Sequence, residues 1–368
     1  MIDRLDKQRH GSKTIHLKPV GSRLAVFAPF NPYQFNPISG PMCAQDIATS
    51  DAGRPAPQPR NAVEVLGRDF VFPNAIADMP ARLSDIEGLR IGFFTTNDGV
   101  RLAWWEAGSG PPLVFVPGWS ANGAEFVYLL HLLSRERRVI VLDQRNQGLS
   151  DKVDHGCRIA RLSMDLREFA ERLGLRSTDY CGWSMGASVI WSMIDLFGCQ
   201  GIRKVAFVDE PISIVAHEGW SEREKRDAGS IAAGPDAVVA MMGAPLPHNP
   251  PSDAQALPAR FMLRASPFFA NAEALAEAVV RNDAARMILV MYNHAAGDWR
   301  DVLLHKIRVP VAFFTGDWSA NVPSQRWAHA AIPGSRLFVY GKEDEGDHFL
   351  MLKNPLKFCA DLAAFLDQ

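Results

Sequence analysis

Residues 178–197, TDYCGWSMGASVIWSMIDLF, decide the fold class of this chain. A short strand-like run leads into the pentapeptide 182–186, GWSMG, which continues into an apolar segment of helical length. A serine in a G-x-S-x-G pattern between a strand and a helix occupies a strained turn, so the flanking positions must lack side chains. The pattern predicts that Ser184 stands exposed at the carboxyl edge of a sheet, near the positive end of a helix dipole.

Strand-like runs alternate with helical segments along most of the chain from about Ile91 onward. Within 159–173, apolar residues recur at spacings of four, three and four, which is one face of a helix. This alternation predicts an α/β fold, with a mostly parallel central sheet flanked by helices. The predicted strands are 91–96, 100–107, 112–116, 138–142, 178–183, 203–209, 310–315 and 335–340.

A long segment without strand character separates two of these strands, at 210–309. It opens with a capping box, Ser221-x-x-Glu224, and helical patterns follow at 234–242, 252–264 and 271–292. Its methionine and phenylalanine side chains fit either an ordinary helical core or an adaptable lid over a pocket, and we favour the lid. The residues expected to line that pocket are Trp183, Met241, Phe261, Phe268 and Phe269.

The first 62 residues differ from the rest in composition. They hold 8 of the 25 prolines and a net charge of +4, which leaves −6 for the remainder. Such a segment is either a basic targeting or docking segment or a poorly ordered tail, and we favour the tail. The predicted organisation is an extension at 1–62, a lead-in at 63–90, an α/β core of 91–209 with 305–368, and a helical cap at 210–304.

The overall composition limits the partners. A chain of 368 residues with 47% hydrophobic and 22% charged residues is typical of a globular protein. A net charge of −2 provides no general attraction for nucleic acid, and the longest apolar stretch, 237–246, is too short for a transmembrane helix. Five widely spaced cysteines indicate neither a disulfide framework nor a zinc site. We therefore expect a cytoplasmic protein with a small-molecule partner, with a targeting segment left open.

A serine hydroxyl needs a base within hydrogen-bond reach before it becomes a good nucleophile. Among ten histidines, His348 follows the strand 335–340 through a polar loop and precedes a final helix that Asn354 caps and Pro355 opens. The other histidines, including His294 in the segment 210–309, are interpreted as surface or core residues.

An anionic oxygen formed at the serine needs two main-chain N–H donors. One normally comes from the residue after the nucleophile, which is Met185. The second is expected from the loop after the strand 112–116, where we choose the N–H of Trp119.

Taken together, residues from about 91 to 368 resemble the α/β-hydrolase fold, with the chain order serine, acid, histidine. The resemblance rests on the strained turn at 182–186, called the elbow below, and on three further segments. These are the Gly118-Trp119 loop, 143–150 (DQRNQGLS) and 346–349 (GDHF). Many relatives carry D-R-G-x-G-x-S where this chain has residues 143–150. Here Asn146 and Gln147 replace the usual glycine and its neighbour, which is expected to shift that loop.

The acid that orients the histidine departs from the common pattern. Most relatives place it in G-x-x-D-x-x-V-P, and alignment of this chain on that pattern puts Ser319 at the acid position. Some relatives carry the acid after the preceding strand, where this chain has Asp209 and then Glu210. We rank the candidates Asp209, Glu210 and then Asp317.

The resemblance implies a serine hydrolase, either a carboxylesterase or a lactonase, that acts on a hydrophobic small molecule without cofactor or metal. A serine at the elbow argues against haloalkane dehalogenases and epoxide hydrolases of this fold, which use aspartate there. Two alternatives stay open, a cofactor-independent dioxygenase of the same fold and a non-catalytic small-molecule receptor. The oligomeric state is left open.

Overall fold

The computed structural model describes residues 61–229, 234, 266–279, 282 and 284–368. The chain divides into two units, Met1–Pro55 and Ala56–Gln368, and every element below lies in the second. Apart from residues 61, 62 and 234, the N-terminal extension and the helical patterns at 234–242 and 252–264 lie outside the described residues. Among the described helices, none combines the length and the apolar character that a membrane crossing requires.

Eight strands form one sheet, which confirms the predicted α/β class. The order is β1-β2-β4-β3-β5-β6-β7-β8, where β2 runs antiparallel to β1 and β4 and all other neighbours are parallel. The strands are β1 Arg90–Thr95, β2 Arg101–Ala107, β3 Pro112–Val116, β4 Arg138–Leu142, β5 Thr178–Trp183, β6 Ile202–Val208, β7 Val311–Gly316 and β8 Arg336–Tyr340.

Helices cover the sheet, and buried side chains pack on both of its faces. Successive residues of a strand point to opposite faces, and on β7 Phe313 and Phe314 accordingly belong to separate apolar clusters. The described helices are α1 Ala62–Gly67, α2 Val127–Leu133, α3 Ile159–Arg172, α4 Met185–Phe197, α5 Glu222–Ala228, α6 Pro267–Val279, α7 Ala284–Ala295, α8 Arg300–His305, α9 Val322–Ala331, α10 Leu350–Lys353 and α11 Pro355–Leu366.

The single helical pattern expected at 271–292 is wrong in its extent, because two helices, α6 and α7, occupy this part of the chain. Between them Asn282 lies outside any helix, and its side-chain Nδ2 donates to the main-chain oxygen of Ser120 at 2.8 Å. The break therefore anchors these two helices on the loop that follows β3.

The loop after β4 contains the two residues that depart from the glycine pattern. Asn146 has φ +69°, a left-handed conformation that asparagine tolerates better than most residues with a side chain. Its N–H donates to the carbonyl of Asp151 at 3.0 Å. The buried guanidinium of Arg145 is held by both oxygens of Asp165 at 2.7 Å. Asn146 thus adopts a left-handed backbone conformation of the kind that favours glycine.

The parallel strands bring three polar residues to one edge of the sheet. Ser184 follows β5, Asp209 follows β6, and His348 lies in the loop after β8. In open α/β sheets, ligands bind outside the carboxyl ends of the strands. The candidate site therefore lies at this edge of the sheet.

Candidate active site

Ser184 occupies a strained turn between β5 and α4. Its φ of +51° and ψ of −133° lie in a region that residues with side chains rarely adopt. A Cβ placed on Gly182 would lie 2.7 Å from the main-chain nitrogen of Ala187, and one on Gly186 would lie 1.9 Å from the carbonyl oxygen of Val116. Both glycines are therefore required by close backbone approach, as the sequence pattern predicts.

Ser184, His348 and Asp209 form one hydrogen-bonded chain. The Nε2 atom of His348 lies 3.1 Å from the Oγ of Ser184, and its Nδ1 lies 2.7 Å from Oδ2 of Asp209. An ionised carboxylate only accepts hydrogen bonds, so Nδ1 carries the proton and Nε2 of the neutral ring accepts from the serine hydroxyl. The ring is thus held in the tautomer that can receive a proton from Ser184.

Asp209 is fully buried, and three further side chains hold its carboxylate. Thr315 Oγ1 donates to Oδ1 at 2.5 Å, while Ser319 Oγ and Asn321 Nδ2 donate to Oδ2 at 2.6 and 3.2 Å. Hydrogen bonds to an ionised acceptor are stronger than neutral ones and favour the charged form. Ser319, which stands where most relatives place the acid, here donates to an acid on the neighbouring strand.

The surroundings of His348 favour its protonated form. Burial by itself lowers the pKa of the imidazole, because it disfavours charge. The hydrogen bond and charge of Asp209 outweigh burial, and the charges of Glu210 and Asp347 add to them, so the pKa of His348 is raised.

The two alternative acids lie elsewhere. Glu210 is buried, and its Oε1 accepts from Ser188 Oγ at 2.9 Å and lies 3.2 Å from His294 Nε2. The Asp317 side chain is 52% exposed and lies 3.9 Å from Arg326. Of the three ranked carboxylates, the structure brings Asp209 into hydrogen-bond contact with His348.

Two main-chain N–H groups adjoin the serine. Met185 is the first residue of α4, and Trp119 follows Gly118, where an added Cβ would lie 3.0 Å from the Cβ of Ser184. Neither N–H donates to another described residue. Free N–H donors beside a hydroxyl nucleophile can stabilise an anionic oxygen.

The histidine loop is fixed by two buried contacts. The indole of Trp183 donates to the main-chain oxygen of His348 at 2.9 Å, and its ring centroid lies 5.6 Å from the imidazole. Next to the histidine, Asp347 accepts from Lys353 Nζ at 2.7 Å, and both side chains are fully buried. Trp183, expected in the pocket, thus lies against the imidazole of His348 and supports its loop.

Helices α6 and α7 contact the loop after β3 and the histidine loop. The indole of Trp119 donates to the main-chain oxygen of Met287 on α7 at 2.9 Å. Of the predicted pocket residues on α6, Phe268 packs on Tyr128 with centroids 5.1 Å apart, and Phe269 packs on Phe349 at 5.2 Å. The other two, Met241 and Phe261, lie outside the described residues.

Sequence reasoning missed the residues that support the site. Thr315, Asn321 and Lys353 carry no motif, because their roles depend on contacts between strands and loops distant in sequence. One signal was available for Ser319, since it occupies the aligned position of the missing acid. Within the described part of the chain, no group of three or more His, Cys, Asp or Glu side chains is arranged to hold a metal ion.

The sequence model of the family described as Alpha/beta hydrolase family matches residues 113–362, more than half of the chain. The chain belongs to this family. A curated relative of this alpha/beta hydrolase is the Non-heme haloperoxidase of Rhodococcus erythropolis, 30% identical over 117 residues. That match covers 32% of this chain and 43% of the relative, so the chain spans less than half the length of that protein in the alignment.

Solved structures of other proteins share the fold of this alpha/beta hydrolase. An esterase from Exiguobacterium antarcticum is 22% identical with a TM-score of 0.65, over 75% of this chain and 99% of the esterase. The enol-lactonase from Burkholderia xenovorans LB400 is 18% identical with a TM-score of 0.55, over 75% of this chain and 100% of the lactonase. At these identities the likeness concerns the fold alone.

Proposed function

We propose that this alpha/beta hydrolase is a serine hydrolase that cleaves a carboxylic ester or lactone through an acyl-enzyme on Ser184. The observation that carries the proposal is the continuous chain from Ser184 Oγ through His348 to the buried Asp209. A nucleophile, a base and an orienting acid within hydrogen-bond reach are what acyl transfer requires. The esterase and lactonase names of two proteins with this fold support the reaction class by analogy.

In the proposed first half-reaction, Ser184 Oγ attacks the carbonyl carbon while His348 Nε2 takes its proton. The carbonyl oxygen becomes anionic and is stabilised by the N–H groups of Trp119 and Met185. Collapse of this intermediate expels the alcohol, which receives the proton from His348, and leaves an ester on the serine. Asp209 keeps the imidazole oriented and stabilises its protonated form.

In the second half-reaction, water attacks the acyl-enzyme. His348 takes a proton from the water and returns it to Ser184 Oγ as the acid product leaves. The products are a carboxylic acid and an alcohol, or one hydroxy acid from a lactone. Since every step is a proton or acyl transfer, the proposed mechanism needs only groups of this chain, the substrate and water.

For the substrate we propose a hydrophobic small molecule. Met287 and Val290 on α7 are buried and, with Met185 and Trp119, form the apolar part of a small cavity that polar side chains of the loop after β4 also line. An apolar lining of this kind favours an apolar acyl or alcohol group.

The experiment is a turnover screen. Purified protein and Ser184→Ala are compared on p-nitrophenyl esters of increasing acyl length and on a set of lactones, with dissolved oxygen followed in parallel. The proposal predicts multiple turnovers by the wild type and loss of them in the variant. Oxygen consumption without ester or lactone cleavage would instead support a cofactor-independent dioxygenase and contradict the proposal.

A further inference from the structure

A four-residue turn after β3, at 118–121, carries one of the two proposed N–H donors and is called the oxyanion turn below. The N–H of Ala121 donates to the carbonyl of Gly118 at 3.3 Å and closes the turn. A Cβ added to Gly118 would lie 3.0 Å from the Cβ of Ser184, so the turn passes close to the nucleophile. Its second residue is Trp119, whose N–H donates to no described residue.

The third residue of the oxyanion turn is strained. Ser120 has φ +66°, a left-handed conformation that turns with a positive φ at this position normally give to glycine. A residue with a side chain keeps such a conformation only where the surrounding structure holds it. If Ser120 relaxes to a negative φ, the peptide unit that joins it to Trp119 rotates. The turn that carries the Trp119 N–H then rearranges beside Ser184.

The segment 210–309 holds both inner residues of the oxyanion turn. The Nδ2 atom of Asn282 donates to the main-chain oxygen of Ser120 at 2.8 Å and lies 3.3 Å from its Oγ. The indole of Trp119 donates to the main-chain oxygen of Met287 on α7 at 2.9 Å. Because hydrogen bonds weaken steeply as they bend, these contacts oppose rotation of the peptide units of the turn.

We propose that Asn282 is a positioning residue, which holds Ser120 in its left-handed conformation and so fixes the N–H of Trp119 beside Ser184. The inference rests on the proposed function for its catalytic meaning. Asn282 acts through the oxyanion turn and not on the substrate. The geometry of the N–H donors therefore depends on a residue far along the chain, between α6 and α7.

Loss of this contact should lower kcat and leave KM nearly unchanged. The N–H donors stabilise an oxygen that becomes anionic in the transition state, so their misplacement affects the chemical step more than substrate binding. Removal of one such donor lowers kcat by about 10²–10³-fold, and misplacement of one in Asn282→Ala should cost about 10- to 100-fold.

A second substitution tests whether the effect passes through Ser120. Glycine adopts a positive φ without strain, so in Ser120→Gly the turn no longer needs Asn282 to hold it. Asn282→Ala should therefore lower kcat in the wild-type background but change it little in the Ser120→Gly background. Such non-additivity is the signature of two residues that act on one conformation. A loss at Asn282 that is unrelated to the turn would be equal in both backgrounds.

Asn293→Ala is the matched control. Asn293 lies on α7, and its Oδ1 accepts from the N–H of Ile159, the first residue of α3, at 2.8 Å. It thus joins the segment 210–309 to the core through α3 and not through the oxyanion turn. We expect Asn293→Ala to keep the kcat of the wild type.

The test is steady-state hydrolysis of p-nitrophenyl butyrate by full-length wild type, Asn282→Ala, Ser120→Gly, their double variant and Asn293→Ala. Thermal melting verifies that each is folded, and Asn282→Ser carries the same predictions if Asn282→Ala does not fold. Hydrogen exchange of the Ala121 N–H, which closes the turn, is followed by NMR in parallel. We expect faster exchange in Asn282→Ala and no change in Asn293→Ala.

Two results would overturn the inference on an active enzyme. One is an unchanged kcat in folded Asn282→Ala, and the other is an equal loss of kcat in the wild-type and Ser120→Gly backgrounds. If the wild type cleaves no ester, the proposed function fails and the exchange experiment decides the inference alone. Faster exchange of Ala121 in Asn282→Ala would then support the positioning of the turn, and unchanged exchange would overturn it.

Discussion

At the scale of single residues, the strongest feature of the site is the environment of Asp209. The residue is fully buried and its backbone has φ +52°. Its carboxylate accepts from Thr315, Ser319 and Asn321 as well as His348. The acid was assigned from the sequence by its place at a strand end. What the sequence did not reveal was the set of donors, because they come from β7 and the loop that follows it.

Replacement of the acid tests its role. Asp209→Asn keeps the size of the side chain but no longer favours the Nδ1–H tautomer, so we expect kcat to fall by about 10⁴-fold. Asp317→Asn, at an exposed carboxylate, should change kcat little. Steady-state kinetics on an ester substrate measures both, and the reverse ranking would refute the assignment of the acid.

The pH dependence of turnover follows from His348. The base must be neutral to accept the serine proton, so kcat/KM rises as pH increases through the pKa of His348. Because the charge of Asp209 outweighs burial and raises that pKa, the acid limb should lie above the ordinary histidine value of about 6.5. A kcat/KM profile between pH 5 and 9, roughly the range in which histidine titrates, measures it. An acid limb below the ordinary value would contradict the electrostatic account.

At the scale of elements, the elbow and the histidine loop differ in how readily the sequence reveals them. The elbow has a local cause, because Gly182 allows close approach to α4 and Gly186 allows close approach to β3. The sequence alone was therefore enough to predict it. The histidine loop depends on Trp183 and on the buried pair of Asp347 and Lys353. Those contacts join separate elements, so no local pattern could predict them.

The elbow can be tested through its second glycine. In Gly186→Ala the new Cβ would lie 1.9 Å from the carbonyl oxygen of Val116, so the turn must distort, and we expect a loss of about 1–3 kcal/mol of stability. Gly341→Ala is the matched control, since its φ is −74° and an added Cβ meets nothing within 4 Å. Urea unfolding measures both. Equal midpoints for the two variants would mean that the close approach at Gly186 is not required.

The histidine loop can be tested at Lys353. Lys353→Met leaves the buried Asp347 carboxylate without its lysine, and breaking such a pair costs about 3–5 kcal/mol. The analogous change at Lys357, whose pair with Asp361 is partly exposed, should cost less than about 1 kcal/mol. Chemical denaturation of both variants gives the comparison. Similar small losses would show that the Asp347 pair does not hold the loop.

At the scale of the whole molecule, periodicity was enough to predict the sheet and its parallel core, because buried strands and amphipathic helices leave local patterns. The segment 210–309 was harder to predict. Where one helix was expected at 271–292 there are two, and Asn282 between them bonds the loop after β3. We propose that the organisation into an extension at 1–62, a lead-in at 63–90, a core of 91–209 with 305–368 and a cap at 210–304 describes the full chain. The compositional difference of the first 62 residues supports that division.

The central claim is that Ser184 is an activated nucleophile within this fold. The most direct measurement is labelling of the folded protein with a fluorophosphonate, followed by peptide mass spectrometry to locate the adduct. We predict one adduct on Ser184, no labelling of Ser184→Ala, and a fall in kcat of about 10⁶-fold for that variant. Folded wild-type protein that gives no adduct at Ser184 would contradict the account.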